Sequence, residues 1–340
     1  MAAPPPSASE PLTDPAPLAA AAARFARDLI ATLGRTPGDD EILALAVSGG
    51  PDSMAMLSLA QAARPGRIAA ATFDHRLRAA SAGEAAMVAD WCADHDIPHA
   101  ILTPATPLAM ANVQATARAA RYEALTAWAT NIGATMLATA HHADDQAETF
   151  LMRANRGCGP AGLAGIRARR PLAPGVELVR PLVGWRRADL ATIAAGMPTV
   201  DDPSNRDTRF DRARMRHWLA GQELLDPARL ARTATYVAEA QADLVALSDW
   251  FWLSRRRPGA DMAIDVAGLP RVLCRMLARR AVAQVRHDHA LATPLFTDSS
   301  NVEPLIDALS AGKSATQGAV MATAKGMIWH FRPAPPRKGA

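Results

Sequence analysis

The sequence predicts an α/β protein: a Rossmann-like parallel sheet with helices on both faces, followed by a smaller, mainly helical C-terminal domain. Three observations carry this reading. Short apolar runs of strand length alternate with longer segments of helical spacing between residues 25 and 155. Two glycines, Gly49 and Gly50, break the first such run where a helix is about to start. Hydroxyl, acidic and basic residues gather where runs end, at Ser48–Ser53, Asp74–Arg78 and His141–Glu148. Strands alternating with helices make βαβ units and a parallel sheet. Right-handed crossovers then cover both faces, and ligands bind beyond the carboxyl ends of the strands.

The elements follow in chain order. Phe25–Leu33 reads as a helix, ended by Gly34 and Pro37. Ile42–Val47 is a strand, Met54–Ala63 a helix, Ile68–Phe73 a strand and Ala82–His95 a helix. Ser81 and Glu84 have the spacing of a capping box. Ala100–Leu102 is a third strand; Val113–Asn131 is a long helix closed at Gly133. Thr135–Thr139 is a fourth strand, and Ala143–Ala154 a further helix. Residues 155–216 are rich in Gly and Arg, with little helical period until Leu190–Ala195. Leu219–Leu253 reads as helical, interrupted near 221–227; Arg255–Asp261 reads as a linker and Leu269–Val285 as a helix. Beyond Gly312 a short hairpin and a Pro/Arg tail are expected. The domain reading is an unordered Ala/Pro-rich leader over 1–23, a catalytic domain over 24–218, a helical domain over 219–290 and a short extension over 291–340.

Composition sets limits. The 340 residues, 49% hydrophobic and 21% charged, suit a chain with a real core. Mean hydropathy is -0.02. No stretch approaches the roughly 18 apolar residues of a membrane span. The net charge is +4, carried mainly by Arg, whose planar fork suits phosphate. The three cysteines, Cys92, Cys158 and Cys274, are too scattered for a disulfide framework or a Cys-x-x-Cys pair. A reducing cytoplasm is the expected compartment. Glu10 and Asp14 argue against a signal peptide.

The stretch Ser48-Gly49-Gly50-Pro51-Asp52-Ser53 follows a buried strand directly. Glycines let another group approach the backbone. A helix N-terminus points N–H groups and its positive dipole end into the turn. The result is a nest for phosphate, with Ser48 and Ser53 as hydroxyl donors. Neither the Lys-containing P-loop pattern nor G-x-G-x-x-G is present. Asp52 beside such a nest calls for a cation, and Mg²⁺ bound by carboxylate and phosphate fits. The alternative is a plain helix cap. In Thr139–Phe150, Asp144, Asp145 and Glu148 share one helix face behind His141 and His142. Mg²⁺ and a cationic substrate explain that clustering; a zinc site from His141, Asp145 and Glu148, or a solvated acidic helix start, are alternatives. Asp74 and His75 end another strand, Arg121 follows Arg118 by one turn, and Arg206, Arg209, Arg212, Arg214 and Arg216 crowd one segment. Arg-rich segments with Gly loops suit an RNA backbone.

These motifs, with "RPLVGWRRADL" and "DDPSNRDTRFDRARMR", resemble the tRNA(Ile)-lysidine synthetase family of the PP-loop ATP pyrophosphatases, from about Leu43 to Leu219. The resemblance implies an adenine nucleotide alpha-hydrolase-like fold. It implies an ATP-dependent ligase that adenylates the wobble cytidine of a CAU-anticodon tRNA(Ile), releases pyrophosphate, and joins free L-lysine to C2 as AMP leaves. It places ATP on Ser48, Gly49, Gly50, Pro51, Asp52, Ser53, Asp74 and His75, and Mg²⁺ on Asp52 and Asp144. Catalysis falls to Asp52, Arg121, His141, Asp145 and Glu148, and tRNA binding to the five arginines from Arg206 to Arg216 and to the helical domain. A homodimer is compatible with it. Two departures stand out: Cys158 where Ser is common, and Ala213 where Asn is usual. The rival reading is a PP-loop tRNA thiolase, whose sulfur chemistry these cysteines are poorly spaced to support.

Overall fold

The computed structural model describes residues 15–76, 80–106, 113–201, 209, 211–257, 261–297 and 300–335. The chain divides into two compact units between Ala238 and Glu239, inside one long helix.

The first unit begins with α1 (Pro15–Leu33) and then alternates β1 (Leu43–Ala46), α2 (Pro51–Ala63), β2 (Ile68–Phe73), α3 (Ser81–Asp94), β3 (His99–Leu102), α4 (Val113–Asn131), β4 (Met136–Ala138) and α5 (Ala143–Asn155). A short α6 (Pro160–Leu163), a hairpin of β5 (Arg169–Ala173) and β6 (Val176–Val179), α7 (Arg187–Ile193), α8 (Asp211–Ala220) and the long α9 (Pro227–Arg255) follow. The sheet order is β3-β2-β1-β4-β6-β5. Every pairing in it is parallel except β5 with β6. Alternate side chains of β1 explain the two apolar layers. Leu43, Leu45 and Val47 pack with Phe25, Leu29, Met54 and Val88, from α1, α2 and α3. Ala44 faces the opposite layer, with Leu125 and Ala129 of α4.

Most strands and helices keep the expected positions, and β2 and α4 keep the expected bounds. Three features differ. Residues 15–23 of the expected leader are helical, because an Ala-rich run is a strong helix former and Ala22 is buried. The Ser81–Glu84 capping box does not form; Ala80 holds the cap position and the Ser81 hydroxyl bonds Asp74 instead. The β5–β6 hairpin was not expected. Its outer strand carries Arg169, Arg170 and Pro171, a composition tolerated only at a sheet edge.

The second unit holds the end of α9, then β7 (Arg256–Arg257), β8 (Met262–Asp265), α10 (Arg271–Asp288), α11 (Glu303–Ser310), β9 (Ala315–Gln317), β10 (Val320–Lys325) and β11 (Ile328–Pro333). Its antiparallel sheet has the order β7-β8-β11-β10-β9, which is more than the expected hairpin. The expected linker contributes its edge strand β7. Leu277, Ala281 and Val285 of α10 and Ile306 of α11 cover Ile264, Val320, Trp329 and Phe331 of that sheet.

Candidate active site

The site forms at the carboxyl edge of the first sheet, where β1 and β4 part to continue in opposite directions across it. After β1 the chain turns through Gly49 at φ 84 and enters α2 with Gly50 as cap and Pro51 in the first turn. A Cβ at Gly49 would lie 3.0 Å from Val200 Cγ2, so the turn accepts only glycine without adjustment. The Val200 N–H donates to Gly49 O at 2.8 Å and fixes the returning chain over the loop. Ser53 Oγ donates to Gly50 O at 2.9 Å and accepts from the Ser48 N–H at 3.1 Å; Ser48 Oγ lies 3.2 Å from it. The hydroxyls therefore brace the nest as well as lining it. Asp52 sits in the first turn, and its Oδ1 is buried without a hydrogen-bond partner.

Asp74 and His75 end β2. Asp74 Oδ1 accepts from the Arg76 N–H at 2.8 Å. Burial pushes its carboxyl up, but the Ser81 hydroxyl, that N–H and the charges of Arg76 and His75 outweigh burial and hold it below its ordinary value. The His75 ring packs edge-on against Phe73 at 4.8 Å.

At the end of β4 the chain enters α5 through His141 and His142. His142 is the cap. Its Nδ1 accepts from the Asp145 N–H at 3.3 Å, and its own N–H donates to Asp145 Oδ2 at 3.1 Å. Its Nε2 lies 3.4 Å from Asp52 Oδ2 and 3.6 Å from Asp145 Oδ2. One imidazole thus joins the loop after β1 to the acids of α5. Burial works against a charge on His142, but the hydrogen bond to Asp52 and the carboxylates of Asp145, Asp52 and Asp144 raise it above its ordinary value. His141 is the reverse. Burial, with Arg180, Arg212 and Arg118 nearby, overcomes Asp145 and lowers it to about 3. Its Nδ1 accepts from Arg180 Nε at 3.3 Å and faces Thr139 Oγ1 at 3.0 Å. A histidine so disfavoured as a cation is a weak proton acceptor at neutral pH.

The acidic face splits into two jobs. Asp145 and Glu148 are buried, and α8 closes over them. Arg212 donates to Asp145 Oδ1 at 2.7 Å and to Glu148 Oε2 at 2.9 Å; Arg216 Nε donates to Glu148 Oε1 at 2.6 Å. Asp145 lies below its ordinary value: burial raises it, and His142, Arg212, His141 and the His142 N–H outweigh that. Asp144, expected on Mg²⁺ beside Asp52, accepts from Arg186 Nε at 3.3 Å and from the Arg187 N–H at 2.8 Å instead. It anchors the start of α7. No cluster of three or more His, Cys, Asp or Glu able to hold a metal occurs among the described residues.

The arginine segment is spread over several environments. Arg212 and Arg216 sit on the acid pair and are not a free RNA-facing stripe. Arg214 pairs with Asp211 at 2.6 Å on the surface, and Arg209 lies in an exposed turn. Arg206 lies outside the described residues. Arg121 forms no ion pair with Asp145 or Glu148; its guanidinium lies 5.5 Å from the Tyr122 ring. The Gly loop before β5 is tied down rather than loose: Gln146 Nε2 donates to Ile166 O at 3.2 Å, and Arg153 Nη1 donates to Gly162 O at 2.7 Å. Two site residues stood in the quoted motifs without a role assigned to them. His142 could have been found from its place at the head of a helix, since side chains there bond the N3 amide. Arg180 opens the quoted stretch RPLVGWRRADL, but that position alone does not place it beside His141.

A loop of this kind beside an acidic helix, at the switch point of a parallel sheet, defines a nucleotide-dependent enzyme class. Residues 22–223 match the PP-loop domain, and the chain belongs to that family. The chain is 42% identical to the tRNA(Ile)-lysidine synthase of Novosphingobium aromaticivorans, over 86% of this chain and 88% of that protein. It is 38% identical to the tRNA(Ile)-lysidine synthase of Zymomonas mobilis, over 88% of this chain and 90% of that protein. Within the PP-loop proteins it therefore belongs to the tRNA(Ile)-lysidine synthase family. A U34-tRNA thiolase from Methanococcus maripaludis shares the fold, with a TM-score of 0.52 at 16% identity, covering 66% of this chain and 80% of that one. That likeness is one of fold alone. No helix among the described residues is long and apolar enough to cross a membrane.

Proposed function

We propose that the chain is a tRNA(Ile)-lysidine synthase, joining free L-lysine to C2 of the wobble cytidine of a CAU-anticodon tRNA(Ile) with ATP. The observation that carries this reading is the His142 bridge. Asp52 and Asp145 lie 3.4 and 3.6 Å from one Nε2, so a phosphate nest and an amine-binding acid pair form a single site.

The chemistry follows from the parts. The nest after β1 takes the triphosphate tail, with Asp74 and His75 on the nucleoside side. Cytosine O2 attacks the α-phosphorus and the bond to pyrophosphate breaks. Fixed N–H donors and a helix end offset the charge that develops, which is the usual large catalytic effect. The donor set fits one Mg²⁺ on Asp52, whose buried Oδ1 lacks a partner; the ion would neutralise phosphate charge there. Asp144 is left out of that set because Arg186 and Arg187 occupy it.

The lysine ε-amine then forms a bond to C2 while the bond from C2 to the AMP oxygen breaks. Free lysine carries a proton at neutral pH, since its amine has a pKa near ~10.4. Asp145 and Glu148 hold the ammonium, in exchange for part of their contact with Arg212 and Arg216. The amine's proton passes to the Asp145–Glu148 carboxylates on its way to solvent, since His141 is disfavoured as a cation and both ring nitrogens of His142 are already engaged. The second unit is assigned to tRNA, and the cytoplasm is the compartment where these substrates meet.

The test supplies ATP, labelled lysine and CAU-anticodon tRNA to the full chain. Label should enter RNA, and Asp52→Asn should slow entry by about 10²–10³-fold. Normal turnover by Asp52→Asn, or sulfur in place of lysine in the product, would refute the reading.

A further inference from the structure

The arginines around Tyr122 have no place in the chemistry above. The guanidiniums of Arg118, Arg121 and Arg170 lie 5.1, 5.5 and 5.3 Å from the centre of the Tyr122 ring. Arg180, 4% exposed, stands beside them with its Nε on His141. Two come from the first half of α4, one from β5 and one from the end of β6, so separate elements converge on one point. Among the described residues no carboxylate pairs with any of the four. Elsewhere in this unit several guanidiniums are paired with carboxylates, as Arg35 is with Glu41 and Arg169 with Glu177.

Gathered like charges repel, and the effect is visible. Burial and the charge of Arg118 both weaken the protonated form of Arg121; burial, Arg170 and Arg118 do the same to Arg180. Tyr122 is pulled the other way. Burial raises its phenol, but Arg118, Arg180 and Arg121 bring it below its ordinary value. A ring face can hold cations together, yet only an anion relieves the excess.

We propose that this cluster is a phosphodiester site, gripping a backbone phosphate of the RNA beside the target cytidine. The inference rests on the tRNA-modifying reading above. Position selects the ligand. The triphosphate tail belongs to the loop after β1, and β6 lies two strands away, about 10 Å at the usual strand spacing. Charge selects it too. A lysine carboxylate needs one guanidinium fork, whereas an RNA strand offers successive phosphates to several.

The experiment measures binding of a CAU anticodon stem-loop to the full chain, without ATP or lysine, over a range of salt. Neutral methylphosphonate is placed singly at the linkages flanking the wobble cytidine. At one linkage it should weaken binding to the unmutated protein about tenfold and reduce the salt slope by about 0.7. Arg118→Gln and Arg170→Gln should weaken the unmodified RNA similarly and no longer respond to that neutral linkage. Their apparent KM for lysine should stay within about twofold of the parent. The proposal falls if the parent binds the stem-loop but ignores both neutral linkages. It also falls if the variants raise the lysine KM about tenfold and leave RNA binding intact, the mark of a carboxylate site. Failure of the unmutated protein to bind the stem-loop at all would instead take the tRNA-modifying reading down with it. The neutral linkages need no mutation, so a misfolded variant cannot decide the outcome.

Discussion

Two charged groups sit at the same edge of the first sheet and are built in opposite ways. At the start of α5, Asp145 and Glu148 are matched by Arg212 and Arg216 at distances down to 2.6 Å. Around Tyr122, arginines collect with no described carboxylate to match them. The contrast separates two uses of charge. Matched buried charges fix where elements sit, since removing one partner strands the other. Unmatched charges do little for the fold and store potential for a ligand of opposite sign.

Substitution makes the contrast measurable. Glu148 is 2% exposed and bonded to two arginines. Glu148→Gln should destabilise the first unit by about 3 kcal/mol, within the range for breaking a buried pair. Arg118→Gln in the other group should change stability by less than about 0.5 kcal/mol. Urea unfolding of both variants checks this. Equal losses would mean that the Tyr122 cluster is structural after all.

A smaller effect should appear with pH. His141 titrates at about 3 in the fold, against an ordinary 6.5. Between those values the unfolded chain binds more protons, so stability rises with pH and levels off near 6.5. The slope is at most about 1.4 kcal/mol per pH unit from this group. His99, lowered by burial, acts in the same direction. His142 is raised and acts oppositely: its contribution is complete below 6.5 and is lost as pH climbs through its folded value. Unfolding measured from pH 4.5 to 6.5 should show the rise, and His141→Gln should flatten it.

The same comparison explains what the sequence made legible. The loop after β1 and the acids of α5 are contiguous motifs, and each lies inside an element whose period is plain. Asp52, Asp145 and Glu148 were therefore visible as a set. Arg212 and Arg216 were visible as residues, but their pairing with the acids of α5 was not, because i, i+4 spacing on α8 does not say which face meets α5. The contacts of Asp144 were hidden for the same reason: only the tertiary fold brings Arg186 to it. The Tyr122 cluster was the least legible, since it needs Arg170 and Arg180 from a hairpin whose Pro and Arg content hides its strand character.

The most direct measurement follows the two halves of the reaction in Asp145→Asn. CAU-anticodon tRNA and ATP are supplied first, and labelled lysine second. Adenylated tRNA should still form, while lysine entry falls by at least about 100-fold. Lysine entry at the parent rate would contradict the assignment of the amine to the acids of α5.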